Sequence, residues 1–345
     1  MKNLAWLSLG LMIGQFAYAD PIENGISFTS GDWEIVCDNT RTCRAAGYQN
    51  EDDGTQQPVS VLLTRAAGKN QAVVGQIRLG ATDTDPTDTE VQMKINGQNF
   101  GKVSISKDGD FLGHLSSAQV EGILSSVKKT SLIDFIGKQQ KWRVSDKGVA
   151  AVLLKMDDVQ GRINTTGAIV KKGALTEANV LPALPKPLIT TVKVKSSPVQ
   201  WNSTQLSQLR AALKATFKSD DDACSMLTDP QEGASEISIT RLNDQKLLTS
   251  ALCWRAAYNE GYGYWVIDAK APYHPVLVTT DASDYQEGKI TSAQKGRGVG
   301  DCWSSESWAW DGKQFIHTGA STTGECKAVA AGGTWNLPTF VSTVR

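Results

Sequence analysis

The sequence predicts a mainly β protein of the α+β class, with two disulfide-stapled antiparallel β domains that each carry one or two helices. Three observations lead there. Short alternating or β-branched segments bounded by Gly, Asp or Asn recur along the chain. Six cysteines are spread between residues 37 and 326. Prolines crowd into one stretch near the middle, and at roughly 150 residues per domain a chain of 345 residues divides into two.

The first element is a leader. Lys2 gives a positive start, Leu4 to Gly14 is apolar, and Ala17-Tyr18-Ala19 has the small-x-small form that signal peptidase requires. Cleavage after Ala19 leaves a chain beginning at Asp20, a residue that cannot take the lipid of a lipoprotein. The apolar run is shorter than the roughly 20 residues that span a bilayer. Residues 1–19 are therefore expected to be a signal peptide, the mature chain to lack a membrane span, and the protein to reside in the periplasm.

Residues 20–180 are expected to form the first domain. Gly31 to Val36, Gln57 to Thr64 and Ala72 to Leu79 read as antiparallel strands. Cys37 and Cys43 flank a polar turn, Asp38 to Thr42, and a bridge across the base of a hairpin is the natural pairing. Ser116 to Lys128 reads as a helix, with Val120, Ile123, Leu124 and Val127 at helical spacing behind a serine cap. A second short helix is expected from Lys147 to Met156. This domain is expected to be sandwich-like.

Residues 181–200 are expected to be an extended linker, because Leu181-Pro-Ala-Leu-Pro-Lys-Pro-Leu and then Ser196-Ser197-Pro198 favour a semi-rigid connector. Residues 201–345 are expected to form the second domain. It opens on the helix Asn202 to Phe217, whose Leu206, Leu209, Leu213 and Phe217 fall on one stripe. Ile237 to Leu242 and Lys246 to Cys253 follow as a hairpin around Asn243-Asp244-Gln245. Tyr264 to Ile267, Pro275 to Thr279, Trp303 to Trp310 and Gln314 to Thr318 then come too closely spaced for parallel crossovers, so an antiparallel meander is expected. Spacing favours Cys224 with Cys253 and Cys302 with Cys326. Six cysteines in an exported chain read as three disulfides.

Charge and motifs exclude more than they assign. With 35 basic and 36 acidic side chains, the chain lacks the basic excess that holds phosphate backbones, and no nucleic-acid partner is expected. There is no Gly-x-Ser-x-Gly elbow, His-Glu-x-x-His, phosphate loop or dinucleotide fingerprint. The three histidines, His114, His274 and His317, are scattered. No cofactor and no metal is expected: Asp83, Asp85, Asp88 and Glu90 form an acidic loop, but Pro86 interrupts it and the turn glycine of a calcium loop is missing. Asp220-Asp221-Asp222 reads as an exposed connector.

Two groups remain as candidate sites. Asp157 and Asp158, with Arg162 close behind, could divide acid and base roles if their environments differ; alternatively Asp158 pairs with Arg162 to pin a turn. Seven of the ten tryptophans lie after residue 200. On strands, Trp308 and Trp310 share a face, as do Tyr262 and Tyr264. These rings read either as core or as an exposed platform that grips a protein or stacks on sugars.

Gly31-Asp32-Trp33-Glu34-Ile35-Val36-Cys37-Asp38-Asn39 with Cys43-Arg44-Ala45, Leu153-Leu154-Lys155-Met156-Asp157-Asp158 with Gln160-Gly161-Arg162, and Gly300-Asp301-Cys302 with Trp308-Ala309-Trp310-Asp311-Gly312 and Phe315 resemble the signatures of a bacterial envelope family catalogued as domain of unknown function 1176. Lys155 and Trp303 depart from that pattern, which carries an aromatic and a glycine there. The first half is also similar to the invasion-associated locus B family, through its Trp-x-x-x-Cys opening and a helix followed by an apolar segment, and this resemblance implies a β-sandwich. Neither resemblance carries catalytic residues. The expectation is an exported binding or inhibitory module whose partner is an envelope protein or a cell-wall glycan. The alternative is a polymer hydrolase using Asp157 and Asp158.

Overall fold

The computed structural model describes residues 25–50, 57–80, 87–106, 109–218, 222–228 and 235–345. The expected leader, residues 1–19, lies outside them, as do Asp83, Asp85, Asp220 and Asp221. The protein is mostly β, and its sheets are antiparallel apart from one short parallel pair.

Strands β1 (Ile26–Ser30), β2 (Trp33–Cys37), β3 (Cys43–Tyr48), β4 (Val59–Arg65) and β5 (Val73–Leu79) run as a meander. β6 (Glu90–Ile95) and β7 (Gln98–Ser104) begin a second sheet, and β8 (Leu112–Leu115) returns to pair with β5. After α1 (Ser117–Ser126), β9 (Ile133–Ile136) and β10 (Lys141–Val144) complete the second sheet in the order β10-β9-β6-β7. Trp33, Val61 and Ile77 from the first sheet share one core with Met93, Phe135 and Trp142 from the second.

Both expected helices of this region form. Ser116 caps α1 in a reciprocal box with Gln119, and Val120 and Ile123 point into the core. α2 (Val149–Val159) buries Val149, Val152, Leu153 and Met156 on one stripe. It begins at Gly148, whose φ of 94° and close approach to the Ser30 carbonyl leave no room for a side chain.

The proline-rich stretch is extended but not free. Arg41 Nη1 donates to the Pro182 carbonyl at 3.0 Å, and β11 (Leu188–Ile189) pairs in parallel with the last strand of the chain. α3 (Ser203–Lys214) starts at Asn202 with a second capping box. A short α4 (Ser225–Thr228), absent from the sequence reading, follows Cys224.

β12 (Ile237–Arg241), β13 (Lys246–Arg255), β14 (Glu260–Asp268) and β15 (Val276–Ala282) form one sheet; β16 (Asp284–Gln286), β17 (Lys289–Lys295), β18 (Trp303–Trp310), β19 (Phe315–Thr322) and β20 (Leu337–Val341) form another, and β21 (Thr343–Val344) ends the chain beside β11. Alternation along β14 explains the layering. Trp265 and Ile267 pack under Leu209 and Leu213 of α3, whereas Tyr264 and Val266 meet Ile290, Trp308 and Trp310 of the neighbouring sheet.

The three disulfides pair as spacing favoured: Cys37 with Cys43, Cys224 with Cys253, and Cys302 with Cys326. One relationship was not legible. The chain after β19 runs back over the first sheet, so that Val36, Ala46, Tyr48 and Leu62 form a core with Val329 and Leu337. That cover explains why β2 and β4 are buried on both faces instead of alternating.

Candidate functional site

Asp157 and Asp158 are neighbours at the end of α2 and face different surroundings. Asp157 is fully buried, and its Oδ2 accepts the amides of Ile169 at 2.7 Å and Val170 at 3.0 Å. Asp158 is exposed and takes Lys155 Nζ at 2.9 Å. A shared acid and base site needs both carboxylates to reach substrate, which the burial of Asp157 prevents. The alternative pairing of Asp158 with Arg162 does not form either.

Arg162 is instead buried completely. Its Nε donates to Gln160 Oε1 at 2.9 Å, Nη1 to Glu177 Oε1 at 2.6 Å and Nη2 to the Gly68 carbonyl at 2.5 Å. Gln160 in turn donates to the carbonyls of Arg41 and Arg65, each at 3.0 Å. Arg65 stands beside this group, with Nη1 3.7 Å from Asp157 Oδ1 and Nη2 3.8 Å from Glu177 Oε1. Two guanidiniums thus balance two carboxylates, with Asp157 and Arg162 fully buried and Glu177 at the edge of the group.

The electrostatics follow from that crowding. Burial and then the Arg162 charge push the Arg65 guanidinium down to about 10. Burial raises Asp157, against the pull of the Val170 and Ile169 amides. Burial also works against the Glu177 carboxylate, yet the Asn70 amide and the Arg162 guanidinium hold it below its ordinary range.

This knot fixes a wall. By holding the amides of Ile169 and Val170, Asp157 sets the segment after α2 opposite α1, and the two enclose a cavity of about 490 Å³. Arg65, 6% exposed, marks its floor; Val73, Val120, Leu124 and Ile169 supply apolar walls; Lys128, Lys172 and Glu121 are exposed at the rim. The seating of α1 is tight, since a Cβ at Gly75 would lie 2.8 Å from Val120 Cγ2 and 3.0 Å from Leu115 Cδ1. A concave space of this size that sets apolar side chains beside convergent polar groups can hold a small molecule.

The aromatic platform is not there. Trp308 is 8% exposed, Trp310 1% and Tyr264 9%, and all three lie in the core between the two sheets of the second half. Tyr262 packs partly buried at its edge and donates to Glu260 Oε1 at 3.2 Å. The shared face inferred from strand alternation is real, but it is the inward face, because β14 and β18 lie in sheets that stack on each other. Burial pushes the Tyr264 hydroxyl up to about 12.

Other chemical groups are occupied structurally. His274 Nδ1 lies 2.8 Å from Asp268, and His317 stacks on Phe340. Among the described residues one group of metal-ligating types comes together, Asp301 with Cys302 and Cys326. Both sulfurs are in the disulfide, and Asp301 is clasped by Arg297 at 2.6 and 2.8 Å and by the Ala328 amide. In the acidic loop, Asp88 accepts the Lys138 amide and Glu90 pairs with Lys102.

The buried Asp157–Arg162 knot, the Cys37–Cys43 hairpin and the Gly300-Asp301-Cys302 turn are the sites where the three sequence signatures fall. A family model described as "Protein of unknown function (DUF1176)" matches residues 27–342. The chain belongs to this DUF1176 family. Among curated proteins, it is 23% identical over 343 residues to "Uncharacterized protein YpfG" of Escherichia coli strain K12, covering 88% of this chain and 89% of that protein. No solved structure matches it. These matches do not show the likeness to the invasion-associated locus B family. In this DUF1176 protein, the Asp157–Arg162 signature supports the cavity from beneath without lining it. The lining residues Arg65, Lys128 and Lys172 were missed, for they come from separate stretches with no motif to join them.

Proposed function

We propose that this protein is an exported binding module of the bacterial envelope and that its ligand enters the cavity between α1 and the segment 166–172. The observation that carries the reading is the fixed wall. A four-charge knot whose Asp157 and Arg162 are fully buried is expensive to build, because ions taken from water each cost several kcal/mol before pairing. Here it holds a loop in place over a concave, partly apolar space. Preorganised walls lower the ordering cost of binding.

The envelope location draws support from the leader-like first nineteen residues and from three disulfides, which persist in oxidising compartments. Among the described residues no helix is long and apolar enough to cross a membrane. The test is an amide-resolved NMR titration of the isotope-labelled protein with a small-molecule extract of bacterial envelope. Shifts concentrated in Val120 to Lys128 and Thr166 to Lys172 are expected. An extract that moves neither segment would overturn the proposal.

A further inference from the structure

We infer that the cavity takes an amphiphilic anion, an apolar body ending in a carboxylate or a phosphate. The inference rests on the binding reading above and adds the chemistry of the ligand. Arg65 on the floor is 6% exposed; its Nη1 is buried and has no hydrogen-bond partner among the described residues, so it lends the cavity charge and not a direct contact through that atom. Its nearest counter-charge, Asp157 Oδ1, stands at 3.7 Å, beyond hydrogen-bond range. Below the floor, the charges of Arg65 and Arg162 are balanced by Asp157 and Glu177. The excess is therefore set at the rim, where two ammonium groups, Lys128 and Lys172, face the single carboxylate of Glu121. That carboxylate already accepts the Ser125 hydroxyl at 3.2 Å.

Between rim and floor, Val73, Val120, Leu124 and Ile169 form an aliphatic stretch of the wall, with Val73 and Leu124 half-buried. A small hydrophilic anion would leave this wall wet, and a neutral apolar molecule would desolvate the lysines without pairing them. A molecule that places an acid group against the cations and a hydrocarbon portion against the wall satisfies both. Low-dielectric walls also focus the field of the cations on the acid group.

The experiment is an NMR titration of the labelled protein with octanoate, octyl phosphate, octan-1-ol, acetate and inorganic phosphate. Octanoate or octyl phosphate should shift the amides of Val120 to Lys128 and Thr166 to Lys172, and the tighter of the two identifies the acid group. Octanol, acetate and inorganic phosphate should each bind about tenfold more weakly or worse. The double variant Lys128→Gln/Lys172→Gln changes only exposed side chains and should weaken the better amphiphile about tenfold. Octanol equal to octanoate would overturn the inference in favour of a simple apolar pocket, and acetate or phosphate equal to it in favour of a free-anion site. Failure of both amphiphiles overturns it as well; if the envelope extract still moves the same amides, the binding proposal stands while the ligand class falls.

Discussion

Asn39 and Val341, 302 residues apart, exchange two hydrogen bonds: Asn39 Nδ2 donates to the Val341 carbonyl at 3.1 Å, and the Val341 amide donates to Asn39 Oδ1 at 2.8 Å. The side chain imitates a strand neighbour for β20. Beside it, the amides of Gly25 and Asn39 both donate to the Thr339 carbonyl. A turn held by the Cys37–Cys43 bridge therefore secures the end of the chain.

Asn39→Ala should leave the Val341 groups without these partners and cost about 1 to 3 kcal/mol. Asn39→Asp keeps an acceptor and should cost less. The measurement is the denaturant midpoint together with amide exchange at Thr339 to Val341, which should accelerate in Asn39→Ala. Unchanged exchange there would show that the clasp does not hold the strand.

The same junction is expected to respond to pH. Glu34 accepts the Tyr48 hydroxyl at 2.6 Å and the Glu325 amide at 2.8 Å, and burial raises its carboxyl despite both bonds. Glu325 is raised by burial and then by the Glu34 charge, with Lys327 pulling the other way. A carboxyl raised on folding holds its proton more tightly in the native state. Its stabilisation is present below the ordinary carboxyl range and is lost as pH rises through the raised value. Glu325→Gln keeps the backbone donor and removes the charge, so its stability relative to wild type should improve as pH rises above the ordinary carboxyl range. Asp134, Glu177, Asp268 and Asp301 are lowered, so their contributions fall toward acid in both proteins and cancel in the difference. A difference that is flat with pH would contradict the assignment.

Arg162 tests the knot. Removing one partner of a buried charge network strands the others, so Arg162→Met should cost about 3 to 5 kcal/mol. Arg162→Lys keeps the charge but lacks the planar fork that reaches Gln160, Glu177 and Gly68 together, and should still lose a substantial part of that amount. Thermal unfolding checks both. A melting temperature within error of wild type in Arg162→Met would show that the network holds nothing.

Trp310 decides between core and surface. As a ring 1% exposed, its replacement by alanine should cost about 3 to 5 kcal/mol. An exposed platform residue would stay within roughly 0.5 kcal/mol of wild type.

Much of the fold could be read from local pattern. Serine and asparagine caps marked α1 and α3, and Asn243 marked its hairpin because its Oδ1 accepts the amides of Gln245 and Lys246. The site was less legible, and for a physical reason. Side-chain alternation tells which residues share a face but not whether that face meets water, so Trp308 and Trp310 kept two readings until the sheet stacking was known. Asp157 and Arg162 drew attention as charges, yet only the approach of Arg65, Gly68 and Glu177 shows why they are there. The return of residues after β19 to the first sheet left no periodic trace, because Val329, Trp335 and Leu337 come from loops and a strand end.

The most direct test of the cavity as a ligand site is native mass spectrometry of the protein purified gently from the cells that make it, comparing wild type with Ser125→Trp. Ser125 is exposed at the cavity and its hydroxyl donates to Glu121, so an indole there obstructs the space while leaving the core untouched. The account predicts a retained small-molecule adduct on the wild type that is lost from the variant. An adduct held equally by both, or none on either, would contradict it.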